Sequence, residues 1–268
     1  MSDLYYLYIK GVRNLGKIIA IVNQKGGVGK TTTSVNLTAA LGAKHKKCLL
    51  VDIDPQGNST SGYGIEKRSM IKSSYDVLIG EASASDVIVK TEFKNVDILP
   101  ANMNLSGAEV EMVDMDSRES ALKKALSLVK ADYDFIILDC PPSLGLITVN
   151  ALCAADSILV PIQCEYYALE GLSQLMNTVK TIKRLYNPHV EIEGVLLTMF
   201  DGRLNLTQQV AAEIKKFFPK KVFGATIPRT VRLSEAPSYG EPILYYDKRS
   251  KGADAYNALA KEVIKNNR

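Results

Sequence analysis

The sequence is short of the side chains that hold metals and cross-link small domains. It has two histidines, His45 and His189, far apart, and four cysteines, Cys48, Cys140, Cys153 and Cys164, with no CxxC pair. That pattern excludes a zinc site of ordinary spacing and a disulfide framework. Three of the cysteines lie in or beside apolar strand-like runs and read as buried reduced thiols. No apolar run approaches the roughly 20 residues needed to span a bilayer. The aromatic LYYLYI near the start lacks a basic leader before it and a small-residue cleavage site after it, which excludes a secretory signal. Residues 1–15 therefore read as an extension ahead of the first core strand, and without a targeting signal the expected location is the cytoplasm. Internal repeats, low-complexity tracts and long linkers are also missing, so residues 16–268 read as one domain.

What is present is enough apolar residue, 46% of 268, for the core of one large α/β unit. The runs KIIAIVN (17–23), CLLVDI (48–53), YDFIILD (133–139), SILVPI (157–162), GVLLTMF (194–200) and VFGATIP (222–228) are nearly continuous in apolar character. That is the signature of parallel strands covered on both faces. VDILP (96–100) can supply another. Helical patterns at Lys30–Ala43, Ser117–Ala131, Leu169–Tyr186 and Leu206–Phe218 alternate with them, which predicts right-handed crossovers and a doubly wound, mostly parallel sheet with helices on both faces. The stretch from Gly57 to Asp116 is the least regular and reads as short helices around one edge.

The first strand ends at Asn23 in NQKGGVGKTTT (23–33), and a helix starts near Lys30. At such a strand-to-helix turn, glycines let backbone N–H groups close around phosphate oxygens, and the helix N-terminus adds favourable partial charge. Lys30 is placed to reach the outer phosphates and the Thr31 hydroxyl to ligate Mg²⁺. The pattern GxxxxGK[ST] is not met, because Gln24 stands where its first glycine would be. A second lysine, Lys25, opens the loop instead. Two carboxylates in VDIDPQ, Asp52 and Asp54, fall on the same side of the second strand's carboxyl end, where open α/β sheets bind ligands. Asp139 ends the apolar run YDFIILD just before Pro141 and Pro142, and an acid in that position fits a Walker B residue that holds Mg²⁺ through water.

KGGVGKT resembles the deviant Walker A motif of P-loop NTPases, whose added signature lysine corresponds to Lys25. The resemblance continues through LLVDIDPQGNSTSG, FIILDCPPSLG, PIQCEYYALEGL, EGVLLTMFDGR and IPRTVRLSEAPSYGEPI. Together these span nearly the whole chain, and the sequence is similar to the ParA/Soj family of DNA-partitioning ATPases. The resemblance implies ATP and Mg²⁺ as cofactors, cradled by Lys25, Gly26, Gly27, Val28, Gly29, Lys30, Thr31 and Thr32. It implies a homodimer formed on ATP, with Lys25 reaching the partner's phosphates as an arginine finger does. Asp54 is implied to orient the attacking water and Asp52 to help hold the Mg²⁺ shell, although a carboxylate beside metal and phosphate can serve either purpose. Met199, Pro228 and Arg229 lie where the family contacts adenine, and packing at strand ends accounts for them equally well. Arg203 and Arg232 match family positions for nonspecific binding to double-stranded DNA. They sit in a stretch, Arg203 to Lys251, with ten Lys/Arg against four Asp/Glu in a chain of net charge +4. A ParB-type partner that stimulates hydrolysis and an association with the nucleoid complete the implied picture. The same fold also supports a membrane-bound division-site ATPase and metabolic ligases. The former needs an exposed apolar face on the last helix, whereas Tyr256, Leu259, Ala260 and Val263 form a stripe better suited to core packing.

Overall fold

In the computed structural model, residues 16–165 and 168–267 are described; the expected extension at residues 1–15 lies outside them. In chain order the strands and α-helices are β1 (Lys17–Ile21), α1 (Lys30–Ala43), β2 (Cys48–Asp52), α2 (Asn58–Gly62), α3 (Ser74–Leu78), α4 (Ala84–Val87), β3 (Val89–Lys90), β4 (Val96–Leu99), α5 (Leu105–Glu111) and α6 (Ala121–Ser127). They continue with β5 (Phe135–Asp139), α7 (Leu146–Ala154), β6 (Ser157–Gln163), α8 (Ala168–Leu185), β7 (Glu191–Thr198), α9 (Asn205–Phe217), α10 (Val231–Glu235), α11 (Ile243–Tyr246) and α12 (Lys251–Asn266).

The seven strands form one sheet in the order β3-β4-β2-β5-β1-β6-β7, parallel except for the short β3 edge. Alternate residues of the central strands feed two separate cores. Ile18, Ala20, Leu49, Val51, Ile136 and Leu138 pack on the face covered by α7, α8 and α9. Ile19, Ile21, Leu50 and Ile137 pack on the other, against Leu37 and Leu41 of α1 and Tyr256, Leu259 and Val263 of α12. From β1 the chain crosses through α1 to β2 on one side, and from β5 through α7 to β6 on the other. The two connections use opposite faces of the sheet, so a crevice opens above the carboxyl ends of β1 and β5.

Three elements differ from the sequence reading. The run at 222–228 makes only an isolated bridge, Val195 with Val222, beside β7. The Gly224 and Ala225 N–H groups donate instead to the Glu262 carboxylate of α12, at 2.8 and 2.7 Å, and Pro228 has no N–H to offer. Pairing resumes where Ile227 N donates to Leu197 O at 2.9 Å. The segment expected as one helix over Ser117–Ala131 is split into α6 and two flanking 3₁₀ turns, with Ser117 at φ 56°. Helix α7, LITVNALCA, is buried on nearly every side, so it lacks the polar face that makes a helix readable in sequence.

The stripe on α12 is core: Tyr256, Leu259, Ala260 and Val263 are fully buried. No helix among the described residues is long and apolar enough to cross a membrane. Leu259→Ala is therefore expected to destabilise the chain by about 2–5 kcal/mol, the range for a buried leucine that leaves a cavity. Urea unfolding checks this, and an unchanged midpoint would return the stripe to the surface.

Candidate functional site

The strongest structural constraint at the crevice is a row of aligned strand ends. In register, Ile21 of β1 stands beside Asp139 of β5, and Asp139 stands beside Asp52 of β2. Both carboxylates are fully buried. Asp139 accepts from Ser34 Oγ of α1 at 2.9 Å and from Ser59 Oγ of α2 at 2.6 Å. Asp52 accepts from Thr60 N at 2.8 Å, Thr60 Oγ1 at 2.7 Å and Asp54 N at 3.2 Å. Burial first, and then the charge of Asp139, raises the Asp52 pKa, with the Thr60 and Asp54 hydrogen bonds opposing. Burial also raises the pKa of Asp139, against hydrogen bonds from Ser59, Ser34 and Thr31. Two acids in this arrangement make a concentration of negative charge that suits a cation nearby.

Above the row lies the glycine-rich loop. Gly27 and Gly29 adopt φ 74° and 86°, a left-handed conformation that glycine adopts without steric cost. Gly29 caps α1 without any side-chain hydrogen bond, so the first-turn N–H groups are available to an anion. At Gly26 and Gly27 a Cβ would meet nothing within 4 Å, which marks an open cradle. Asn23 braces the loop: its Nδ2 donates to Pro161 O at 2.7 Å and its Oδ1 accepts from Lys25 N at 3.0 Å. From the far side, Thr198 Oγ1 donates to Val28 O at 2.8 Å.

The two lysines of the loop face different places. Lys30 is buried and its Nζ donates inward to Lys25 O at 3.1 Å. Burial lowers its pKa, opposed by the charges of Asp139, Cys140 and Asp54. Lys25 turns away: its Nζ donates to Glu165 Oε2, after β6, at 2.5 Å, with both side chains more than a third exposed. An exposed pair of this kind contributes little stability, about 0–1 kcal/mol.

The cleft over the loop encloses about 570 Å³. Gly26, Gly27, Gly29, Lys30, Thr31 and Thr32 form its floor; Asp54, 8% exposed, stands at the β2 side. Met199, Pro228 and Arg229 form the opposite wall, and Met199 holds a left-handed φ of 47°, an uncommon backbone for a residue with a side chain. Lys25, Val28, Asp52 and Asp139 do not line this cleft; the Val28 side chain is buried and its carbonyl is taken by Thr198. Arg203 and Arg232 lie elsewhere on the surface. Arg203 is bound by both Asp201 oxygens, at 2.9 and 2.7 Å, and these bonds push the Asp201 pKa down to about 2. Arg232 pairs with Glu235 at 3.1 Å and Asp247 at 3.4 Å, and sits over the Tyr246 ring.

Sequence reasoning missed several cleft residues, among them Asn58, Pro142, Thr198 and Tyr256. Asn58, Pro142 and Thr198 lie inside motifs that were recognised, after or at strand ends, so that position was the available signal. Tyr256 reads as a core residue because it is one, and its OH also meets Thr33 Oγ1 of α1 at 3.3 Å. All four cysteines are free and buried. Among the described residues no cluster of three or more His, Cys, Asp or Glu could hold a metal unaided.

Residues 16–192 match the family model described as an AAA domain. The chain is 60% identical over 252 residues to the sporulation initiation inhibitor protein Soj of Bacillus subtilis, covering 94% of this chain and all of that one. It is 51% identical to the chromosome partitioning protein ParA of Myxococcus xanthus, over 96% of this chain and 90% of the other. The crystal structure of cobyrinic acid a,c-diamide synthase from Mycobacterium smegmatis, with bound ATP analogue and magnesium, superposes with a TM-score of 0.83 at 36% identity, covering 94% and 95% of the two chains. With a 60% identical relative matched end to end, a parallel sheet of this order and the glycine-rich loop in place, the chain belongs to the Soj/ParA family of partitioning ATPases.

Proposed function

We propose that the chain is an ATP-switched DNA-partitioning ATPase. In this reading ATP and Mg²⁺ occupy the cleft, and the ATP-bound chains pair face to face. The pair holds double-stranded DNA without sequence preference, on the nucleoid, and hydrolysis stimulated by a ParB-type partner releases it. The observation that carries it is the division of labour between the two lysines: Lys30 faces its own cleft, and Lys25 faces out of it. Within its own chain Lys25 makes only a half-exposed pair with Glu165, and an outward lysine on a phosphate loop can stabilise phosphoryl charge in a second copy's cleft.

The residues fit the cofactors. The open glycine cradle and the uncapped start of α1 suit a triphosphate, and Lys30 would neutralise its outer phosphates. Thr31 would ligate Mg²⁺ and Asp139 would hold its water shell, with Asp52 adding negative charge behind it. Bound Mg²⁺ supplies charge stabilisation on the phosphate oxygens. Asp54 is the carboxylate of the cleft wall. Its Oδ1 accepts from Gln56 N at 2.9 Å, which fixes the side chain so that the group can orient a water for attack. Met199, Pro228 and Arg229 would contact adenine. Arg203 and Arg232 would meet DNA phosphates by exchanging their carboxylate partners, aided by the exposed Lys215, Lys216, Arg249 and Lys251.

Lys30→Ala should abolish ATP binding, because the outer phosphates lose their buried cation. Asp54→Ala should bind ATP and persist as a dimer while turnover falls at least about 100-fold, the scale of a lost general base or water-orienting group. Equilibrium ATP binding and size-exclusion chromatography with ATP separate the two. A monomeric Asp54→Ala chain that still binds ATP would sink the assignment.

Lys25→Ala should keep ATP affinity and lose hydrolysis that rises with chain concentration. Gly26→Val should fold and bind ATP, since the position opens into free space, and yet fail to dimerise because the side chain projects where two loops meet. Cooperative ATPase activity in Lys25→Ala would refute the cross-chain role.

DNA retention should require ATP, ignore sequence and weaken steeply with salt, because pairing doubles the phosphate contacts. Arg203→Ala and Arg232→Ala should each weaken it while sparing ATP binding and dimerisation. A filter or shift assay across a salt series checks this, and wild-type retention in both variants would misplace the DNA face.

A further inference from the structure

We infer that Glu109 of α5 is a positioning residue for hydrolysis: it fixes where α7 begins, and so the course of the segment 140–145 that follows Asp139. The inference rests on the reading of the cleft as the ATP site, which that segment borders through Pro142.

Helix α7 starts at Leu146 behind Gly145, which caps it with no side-chain hydrogen bond, and its first turn carries no acid. An uncapped helix start leaves N–H groups in need of an acceptor. Glu109 supplies one from a different element. Its Oε1 accepts from Ile147 N at 3.2 Å, across 38 residues of chain. A carboxylate at this end of a helix is also favoured by the helix dipole.

Gly145 makes the approach possible. Its φ of −72° and ψ of −174° are open to any residue, so the backbone itself does not call for glycine. A Cβ at this position would instead collide with Glu109 Oε1 and come within 3.0 Å of Cδ and Oε2. A side chain at this position would therefore displace the carboxylate rather than strain the backbone. The fixed start of α7 is passed on to the cleft by Thr148, whose Oγ1 donates to Ser143 O at 2.6 Å, one residue from Pro142. The segment is thus held at one end by the buried Asp139 and at the other by the carboxylate of α5. The carboxylate is partly exposed beside a surface cavity of about 400 Å³, walled by Leu146, Val149, Ile182 and Tyr186.

The test is a double-mutant cycle on the full chain, with kcat and KM for ATP measured at saturating Mg²⁺ and equilibrium ATP binding measured alongside. Glu109→Ala should lower kcat about tenfold with KM and ATP affinity within about twofold, the pattern of a lost transition-state arrangement. Glu109→Gln keeps an acceptor oxygen and should restore most of the rate. Gly145→Ala should lower kcat about as much as Glu109→Ala, because the methyl displaces the carboxylate. In the Glu109→Ala background the three atoms nearest the methyl are gone and it should cost no more than about twofold. A wild-type kcat in Glu109→Ala, a change confined to KM, or a Gly145→Ala penalty equal in both backgrounds would each overturn the inference. Loss of ATP binding in Lys30→Ala together with failure of this cycle would reject the positioning role and leave the ATP site standing.

Discussion

The carboxylate of Asp139 must be satisfied without water, and the layout of the cleft follows from how that is done. A fully buried acid demands hydrogen-bond donors, and the donors come from two helices that begin at the two sides of the crevice. Ser34 lies one turn into α1, so its bond to Asp139 also sets the height of Lys30 and the glycine loop above the sheet. Ser59 lies at the start of α2, so its bond draws in the chain that carries Asp54. Removing either donor would expose an unmet acceptor at a cost of about 1–3 kcal/mol. The same row of strand ends places Asp52 beside Asp139, and the hydrogen bonds from Thr60 and Asp54 that serve Asp52 tighten the loop after β2. One buried charge row thereby ties β2, β5, α1 and α2 into a unit.

Around this unit the chain tolerates local departures from regular structure. Met199 carries a left-handed backbone, Gly27 and Gly29 curl the loop, and the segment after β7 gives up ladder pairing to Glu262. These features lie at or lead into the cleft, whereas the central strands β2, β5 and β1 beneath are almost wholly buried and pair in uninterrupted register. The division is physically sensible: a binding surface needs exposed N–H groups and bent backbone, and a rigid sheet is what holds them in position.

Much of this was legible in the sequence because the central strands bury both faces. Runs such as KIIAIV and FIILD are apolar except for one charged residue at an end, Lys17 and Asp139, and the loop between β1 and α1 has few physical alternatives. Legibility failed where the deciding partner was distant in the chain. VFGATIP has the composition of a strand, and what prevents it is a carboxylate 37 and 38 residues onward. Helix α7 was hidden by being buried on nearly every side, and the helix expected at 117–131 is interrupted at Ser120, whose φ of −111° and ψ of 8° leave the helical region. For the site, the chemistry-bearing residues were visible and the pairings that support them were not. Nothing local to Lys25 announces Glu165, which lies 140 residues away, and nothing local to Asp139 announces Ser59.

Helix α12 grips both ends of the cleft. Tyr256 meets Thr33 beneath the phosphate loop, and Glu262, nearly two turns further on, carries the backbone at Gly224 and Ala225 that leads to Pro228 and Arg229. A single stiff rod therefore spans from the glycine-rich loop to the wall that carries Pro228 and Arg229. The two walls of the cleft thus share one support, and in the pairing proposed above its open side is where a second chain would sit.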